Sequence, residues 1–212
     1  MDIDKVVKLL AQTDGRDKLY KTAAGLAKIA ADFSDKESGK KWKSIGKSIG
    51  DGRSLMRMGK FVGNVQKLQG FAAKGSLSSY QAVEVLRVIG DFGYVLGDNL
   101  QYLAKFGVLP MDAAKTAANS KVFQFWGFVC AVLLDLWQLA LLPSKRLEAK
   151  DFAKKRHALV LSAIKNFADM LNCLNAVGYA KSFYKPSSTF LGACGVTSGA
   201  IATYTNWGKL SK

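Results

Sequence analysis

The 212-residue chain carries 31 Lys and Arg against 16 Asp and Glu, a formal net charge of +15, while 49% of its residues are hydrophobic. That length allows one domain or two small ones around a sizeable core. The cationic excess points to nucleic acid, an anionic membrane surface or an acidic protein as partner and says nothing of the fold. Cys130, Cys173 and Cys194 are odd in number, lie in apolar stretches and show neither CxxC spacing nor a nearby His. They read as reduced, buried thiols rather than a disulfide framework or a metal site.

The opening "MDIDKVVKLL" lacks the basic-then-apolar order of a secretory signal, and no Asn-x-Ser/Thr acceptor occurs, so the expectation is a chain on the cytosolic side. In "LLAQTDGRDKLYK", Thr13 or Asp14 is placed to cap a helix whose inner face continues through Leu19, Ala23, Leu26, Ala30 and Phe33. Asp17 then falls in the first turn, where its charge suits the helix dipole. Ser34 to Ser54 is polar, basic and rich in Gly and Ser, and reads as a linker. Its Gly46-Lys47-Ser48 resembles the tail of a phosphate-binding GxxxxGK[ST] loop, but Lys41 stands where the leading Gly is required and no buried strand precedes it.

From Arg53 to Lys74 a helical period gathers Leu55, Met58, Phe61, Val62, Val65, Leu68 and Ala72 on one face and Arg53, Arg57, Lys60, Lys67 and Lys74 on the other. Not one Asp or Glu lies between Asp51 and Glu84. A helix that merely covers a soluble core normally mixes both signs on its outer face. A single-sign cationic face opposite an apolar one suits a helix lying in a membrane interface. At about 1 kcal/mol per basic residue near an anionic leaflet, five contribute a few kcal/mol before apolar insertion counts. Binding to a partner protein is the alternative. Nucleic acid fits less well, because the aromatics do not interleave with the cations as stacking platforms.

The next helix, about Tyr80 to Leu109, lines up Gly90, Gly93 and Gly97, beside a stripe of Arg87, Asp91, Asp98 and Lys105. Each helical glycine costs up to about 1 kcal/mol against alanine, so three in register point to close helix packing. "VFQFWGFVCAVLLDLWQLALL", Val122 to Leu142, has the length of a membrane span, with Asp135 its only charge and Lys121 and Lys145-Arg146 at its borders. Asp135, with Gln138 one turn on, either packs into a helix bundle or marks a solute path. Ala158 to Ala180 is largely apolar and suits either a membrane or a cytosolic helix. Pro186 to Gly208 is an uncharged run rich in Gly, Ala, Ser and Thr, and only its Gly195/Gly199 pair, with Gly192 and Ala202 roughly in line, raises it to a second span over a buried soluble helix or a tail. His157, the only histidine, follows a basic run. No HExxH, GxSxG, metal-ligand cluster or carboxylate pair is present, so catalysis, metals and cofactors are not expected. The closing Lys209-Leu210-Ser211-Lys212 holds the letters of the Ser-Lys-Leu peroxisomal address in the wrong order.

Three prolines at the edges of apolar stretches and no period-two alternation make the chain all-α: a helical integral membrane protein with one interfacial amphipathic helix and about two transmembrane helices. Its parts are residues 1–52, N-terminal helices and basic linker; 53–74, the amphipathic helix; 75–121, a helical hairpin region; 122–142, a span; 143–185, a basic loop and helix; and 186–208, the second span.

The order of motifs is distinctive: Thr13-Asp14-Gly15-Arg16-Asp17-Lys18, then "SLMRMGKFV" at Ser54 to Val62, then "GDNLQYLAKFGVL" at Gly97 to Leu109, then an apolar segment with "LLDL". Taken together over essentially the whole chain, it resembles the peroxin eleven family of peroxisomal membrane proteins. The resemblance implies a peroxisomal or glycosomal membrane location, several spans, cytosolic termini, self-association, work alongside fission machinery, and a role in elongating and dividing the organelle. It maps the family's membrane-remodelling helix onto Arg53 to Ala73. It also implies, for some members, pore-like permeability, for which Asp135, Gln138 and the glycine face of the second long helix would lie near the path. Basic residues are denser after Leu142 than before Val122, so the positive-inside rule alone places that loop in the cytosol, against the topology the family implies.

Overall fold

The computed structural model describes residues 2–210, and the elements among them are helical throughout. The chain divides into two compact units, one formed by residues 1–57 with 179–212 and the other by residues 58–178.

In the first unit, α1 (Ile3–Ala11) is capped by the Asp2 carboxylate, which accepts the Lys5 N–H at 3.1 Å. A single extended residue, Gln12, separates it from α2 (Thr13–Phe33). The cap of α2 is therefore Gln12, without a side-chain bond, and neither Thr13 nor Asp14 fills that place. Gly15 explains the tight junction: a Cβ there would stand 2.1 Å from the Leu9 carbonyl oxygen. The face α2 buries is Gly15, Asp17, Gly25 and Ala27, whereas Leu26 and Phe33 are exposed, which corrects the expected apolar face. Small residues win because helices press on α2 from two sides.

On one side lies α3 (Lys36–Met56), which occupies the stretch expected to be a linker. Asp35 starts it by accepting the Glu37 and Ser38 N–H groups at 2.9 and 3.0 Å, a bonding pattern that holds its carboxyl below the ordinary range. Its glycines, which from sequence count toward a linker, let it approach α2. A Cβ on Gly39 would meet the Ala31 carbonyl at 3.0 Å, and one on Gly46 would sit 3.7 Å from the Ala27 methyl. On the other side lies α8 (Ser188–Lys209), capped by Ser187, while Thr189 donates its N–H and hydroxyl to Asp32 of α2 at 2.9 and 2.7 Å. Gly25, Gly192 and Gly199 form this contact: a Cβ on Gly25 would lie 2.8 Å from the Gly192 oxygen, and one on Gly199 2.8 Å from the Thr22 nitrogen. Gly195 also faces Gly25, at 3.5 Å. The small-residue face expected of this segment is thus used within the chain. Ser211 and Lys212, part of the terminal tetrapeptide considered above, lie outside the described residues.

In the second unit, α4 (Phe61–Ala72) packs on α5 (Ser79–Lys105), with the Phe61 and Phe92 rings edge to face at 6.3 Å. A capping box of Ser78 and Gln81 opens α5. Its glycine face meets α6 (Ala113–Leu141): a Cβ on Gly90 would stand 2.6 Å from the Gly127 Cα, one on Gly97 2.6 Å from the Ser120 Cβ, and one on Gly93 would strike the Phe123 ring. Asp112 caps α6, and a single 3-10 turn at Leu142–Ser144 follows it. The last helix, α7 (Ala149–Val177), packs on α6 and stops at Gly178, whose φ of 72° only glycine adopts without strain.

One helical stretch among the described residues, Ala113–Ser144, is long and apolar enough to cross a membrane. Only 33% of its apolar window is buried within the chain, whereas the core helix of a soluble protein is mostly covered. The Pro186–Gly208 run does not reach that standard, because Gly, Ser and Thr replace the branched aliphatics a span needs.

Candidate functional site

The amphipathic stretch at residues 53–74 is not one helix. α3 ends at Met56, the chain turns through Arg57 to Lys60, and α4 begins at Phe61. Gly59 takes φ +76°, and its N–H is held by the Asn99 side-chain oxygen of α5 at 2.9 Å. A helical period runs through this break unaltered because it cannot register a single left-handed residue.

The break falls at the boundary between the two units, and the two halves differ in chemistry. In the first, Asp17 is 4% exposed at its side chain and stands against Arg53 Nε at 3.0 Å, Lys18 Nζ at 3.4 Å and Arg57 Nη1 at 3.8 Å. Burial pushes the Asp17 carboxyl up, but Arg53, then Lys18 and Arg57, outweigh it and hold it below its ordinary value of 3.8. Arg57 also reaches Ser54 Oγ at 3.4 Å. Arg53 and Arg57, expected on an open cationic face, are thus engaged inside the first unit. Leu55 beside them is open to solvent.

In the second half, Phe61, Leu68 and Phe71 are half-buried and Asn64 is buried, so this side of α4 is the one turned to α5. The opposite side stays open. Exposure is 39% at Met58, 60% at Val62 and 37% at Val65. Lys67 is exposed, Lys60 half-buried, and Lys74 lies over the Phe71 ring at 5.0 Å. The apolar face expected from sequence is therefore split, with Phe61 and Leu68 used for packing and Val62 and Val65 left uncovered.

The remaining predicted positions fall elsewhere. Of the Thr13 to Lys18 motif, Thr13, Asp14 and Arg16 are exposed, while Gly15 and Asp17 make the helix junction and the ionic cluster. Asp135 is buried between α6 and α7, accepting Ser162 Oγ at 3.1 Å and Asn166 Nδ2 at 2.6 Å, and Lys165 Nζ donates to Asn166 Oδ1 at 2.5 Å. Gln138 donates to the Tyr80 hydroxyl of α5, and the Tyr80 ring meets Trp137 edge to face at 5.7 Å. These groups bond to neighbouring helices, and the Gly90, Gly93 and Gly97 face is filled by α6. No group of His, Cys, Asp and Glu among the described residues is arranged to hold a metal. Sequence reasoning missed Asn99, Ser162, Asn166 and the pairing of Asp17 with Arg53. The last joins residues 36 positions apart, which no local period reports.

A long, largely uncovered apolar helix and a shorter one with a bare Val62/Val65 side define a helical protein built to meet a lipid bilayer. Residues 3–207 match the family described as Peroxisomal biogenesis factor 11 (PEX11), and the chain belongs to that family. It is similar to the peroxisomal membrane protein 11 homolog of Dictyostelium discoideum, at 24% identity over 98% of this chain and 95% of that protein. It also resembles peroxisomal membrane protein 11-3 of Oryza sativa subsp. japonica, at 27% over 93% and 86%, and peroxisomal membrane protein 11B of Arabidopsis thaliana, at 26% over 97% of each. No solved structure matches the chain.

Proposed function

We propose that this chain is a multi-pass protein of the peroxisomal membrane, with cytosolic termini, that remodels and elongates that membrane in peroxisome proliferation and fission, without catalytic chemistry. The observation that carries the reading is the outer side of α4, where Val62 and Val65 stand exposed beside Lys67 with no acid in the helix. Inserted into one leaflet, such side chains expand its area at the headgroup boundary and favour curvature. α6 supplies the anchor, and copies of the chain assemble at one patch and recruit the fission machinery.

The test uses the full chain reconstituted in anionic vesicles. The wild type deforms vesicles into tubules, and Val62→Asp with Val65→Asp abolishes this while Val62→Leu with Val65→Leu preserves it. Equal tubulation by the aspartate variant would overturn the reading.

A further inference from the structure

We infer that α3 carries a second lipid-contact surface, distinct from α4, which takes the anionic headgroups of the bilayer through Lys36, Lys40, Lys43 and Lys47. These residues recur at i, i+4, i+7 and i+11, so at 100° per residue they fall within about 60° of one another and span about 16 Å of helix. All four are exposed. Among the described residues no ion pair engages any of them, and the nearest acid on the helix, Glu37, bonds instead to Lys41 at 2.9 Å, off the stripe. Like charges three and four residues apart destabilise a helix, and here three such pairs follow one another, with the acids of α3, Glu37 and Asp51, standing only at the two ends of the row. A face of this kind costs stability unless an anionic surface neutralises it.

The rest of α3 is consistent with that use. Gly39 and Gly46 hold it against α2, so the stripe sits on a helix fixed by tertiary packing rather than on a free linker. Charge complementarity selects the occupant: a row of four lysines fits a field of headgroup phosphates and carboxylates, each lysine strengthening association by roughly fivefold near an anionic leaflet. The structure also gives α3 this task by default, since Arg53 and Arg57, which would have supplied charge to the neighbouring segment, are held by Asp17. The inference rests on the membrane setting of the proposed function and not on remodelling.

The full chain is reconstituted in nanodiscs of phosphatidylcholine alone or with phosphatidylserine, and the rate of amine acylation at each lysine is read by mass spectrometry, with Lys41 as internal reference. Phosphatidylserine is expected to slow Lys36, Lys40, Lys43 and Lys47 on the order of fivefold, an effect reversed by raising the ionic strength. The Val62→Asp/Val65→Asp variant should show the same slowing even where tubulation is lost, which separates this surface from the remodelling one. A chain with all four lysines changed to Arg should keep the wild-type, salt-sensitive enrichment of phosphatidylserine around the protein, and one with all four changed to Gln should show a clearly smaller enrichment, owed to its other cations. Acylation rates that ignore phosphatidylserine overturn the proposal and assign the stripe to an acidic protein or to solvent.

Discussion

Asp17 of α2 and Arg53 of α3 stand 3.0 Å apart, with the carboxylate buried and the guanidinium partly so, and this pair fixes the C-terminal end of α3. Replacing Asp17 with Asn keeps the shape and removes the charge, so the half-buried Arg53 and Arg57 lose the carboxylate they share. A fully buried pair loses 3 to 5 kcal/mol when one partner goes; with the arginines 19% and 12% exposed, water recovers part of this, and the expected loss is about 2 kcal/mol. Thermal unfolding in detergent, followed by helical circular dichroism, checks it. A midpoint equal to wild type would show that the pair contributes nothing.

The same carboxylate sets a pH dependence. Its folded value lies below its ordinary 3.8, so its contribution is complete above the unfolded value and is lost as pH falls through the lower, folded one. Stability measured downward from neutral pH should hold until about pH 4 and then fall, and the Asp17→Asn chain should show a shallower acid decline than wild type. Identical acid slopes in the two chains would remove Asp17 as the source.

Glycines divide into two sets with opposite expectations. A Cβ on Gly25 would stand 2.8 Å from the Gly192 oxygen and the Val196 nitrogen, and one on Gly90 2.6 Å from the Gly127 Cα. These are backbone atoms that cannot swing away, so Gly25→Ala and Gly90→Ala should each cost about 1 to 3 kcal/mol. Gly70 on α4 has nothing within 4 Å of its would-be Cβ, and Gly70→Ala should gain up to about 1 kcal/mol from helix propensity alone. Midpoints of the three single variants under one detergent condition decide the matter.

The contrast shows what the sequence exposes and what it hides. Gly90, Gly93 and Gly97 announce a packed face because three glycines in register have no other economical reason to lie in one helix, and α6 fills that face. The 34–54 stretch misleads for the same residue type: Gly39 and Gly46 look like breakers until a second helix is close enough to require them. Val62 and Val65 emerge on an open side as the helical period implies, but the period cannot tell which half of an apolar arc a neighbouring helix will take, so Phe61 and Leu68 are assigned to the same face although they are packed. The kink at Gly59 depends on Asn99, 40 residues away, and lies beyond any window-based reading.

Asp135 joins α6 to α7 through Asn166 and Ser162, and the amide also accepts from Lys165, so one side chain links a cation to a carboxylate. Asn166→Leu removes the 2.6 Å bond and leaves the buried acid with Ser162 alone. In a bilayer such bonds are worth about 1 kcal/mol, and a group left without its partner costs more, so a loss of about 1 to 3 kcal/mol is expected. Asp135→Leu in the Asn166→Leu background removes both partners together, and the double variant should recover most of that loss, giving a coupling energy near the bond's own worth. Additive losses in this double-mutant cycle would show that the two side chains act independently and that the α6–α7 contact rests on packing alone.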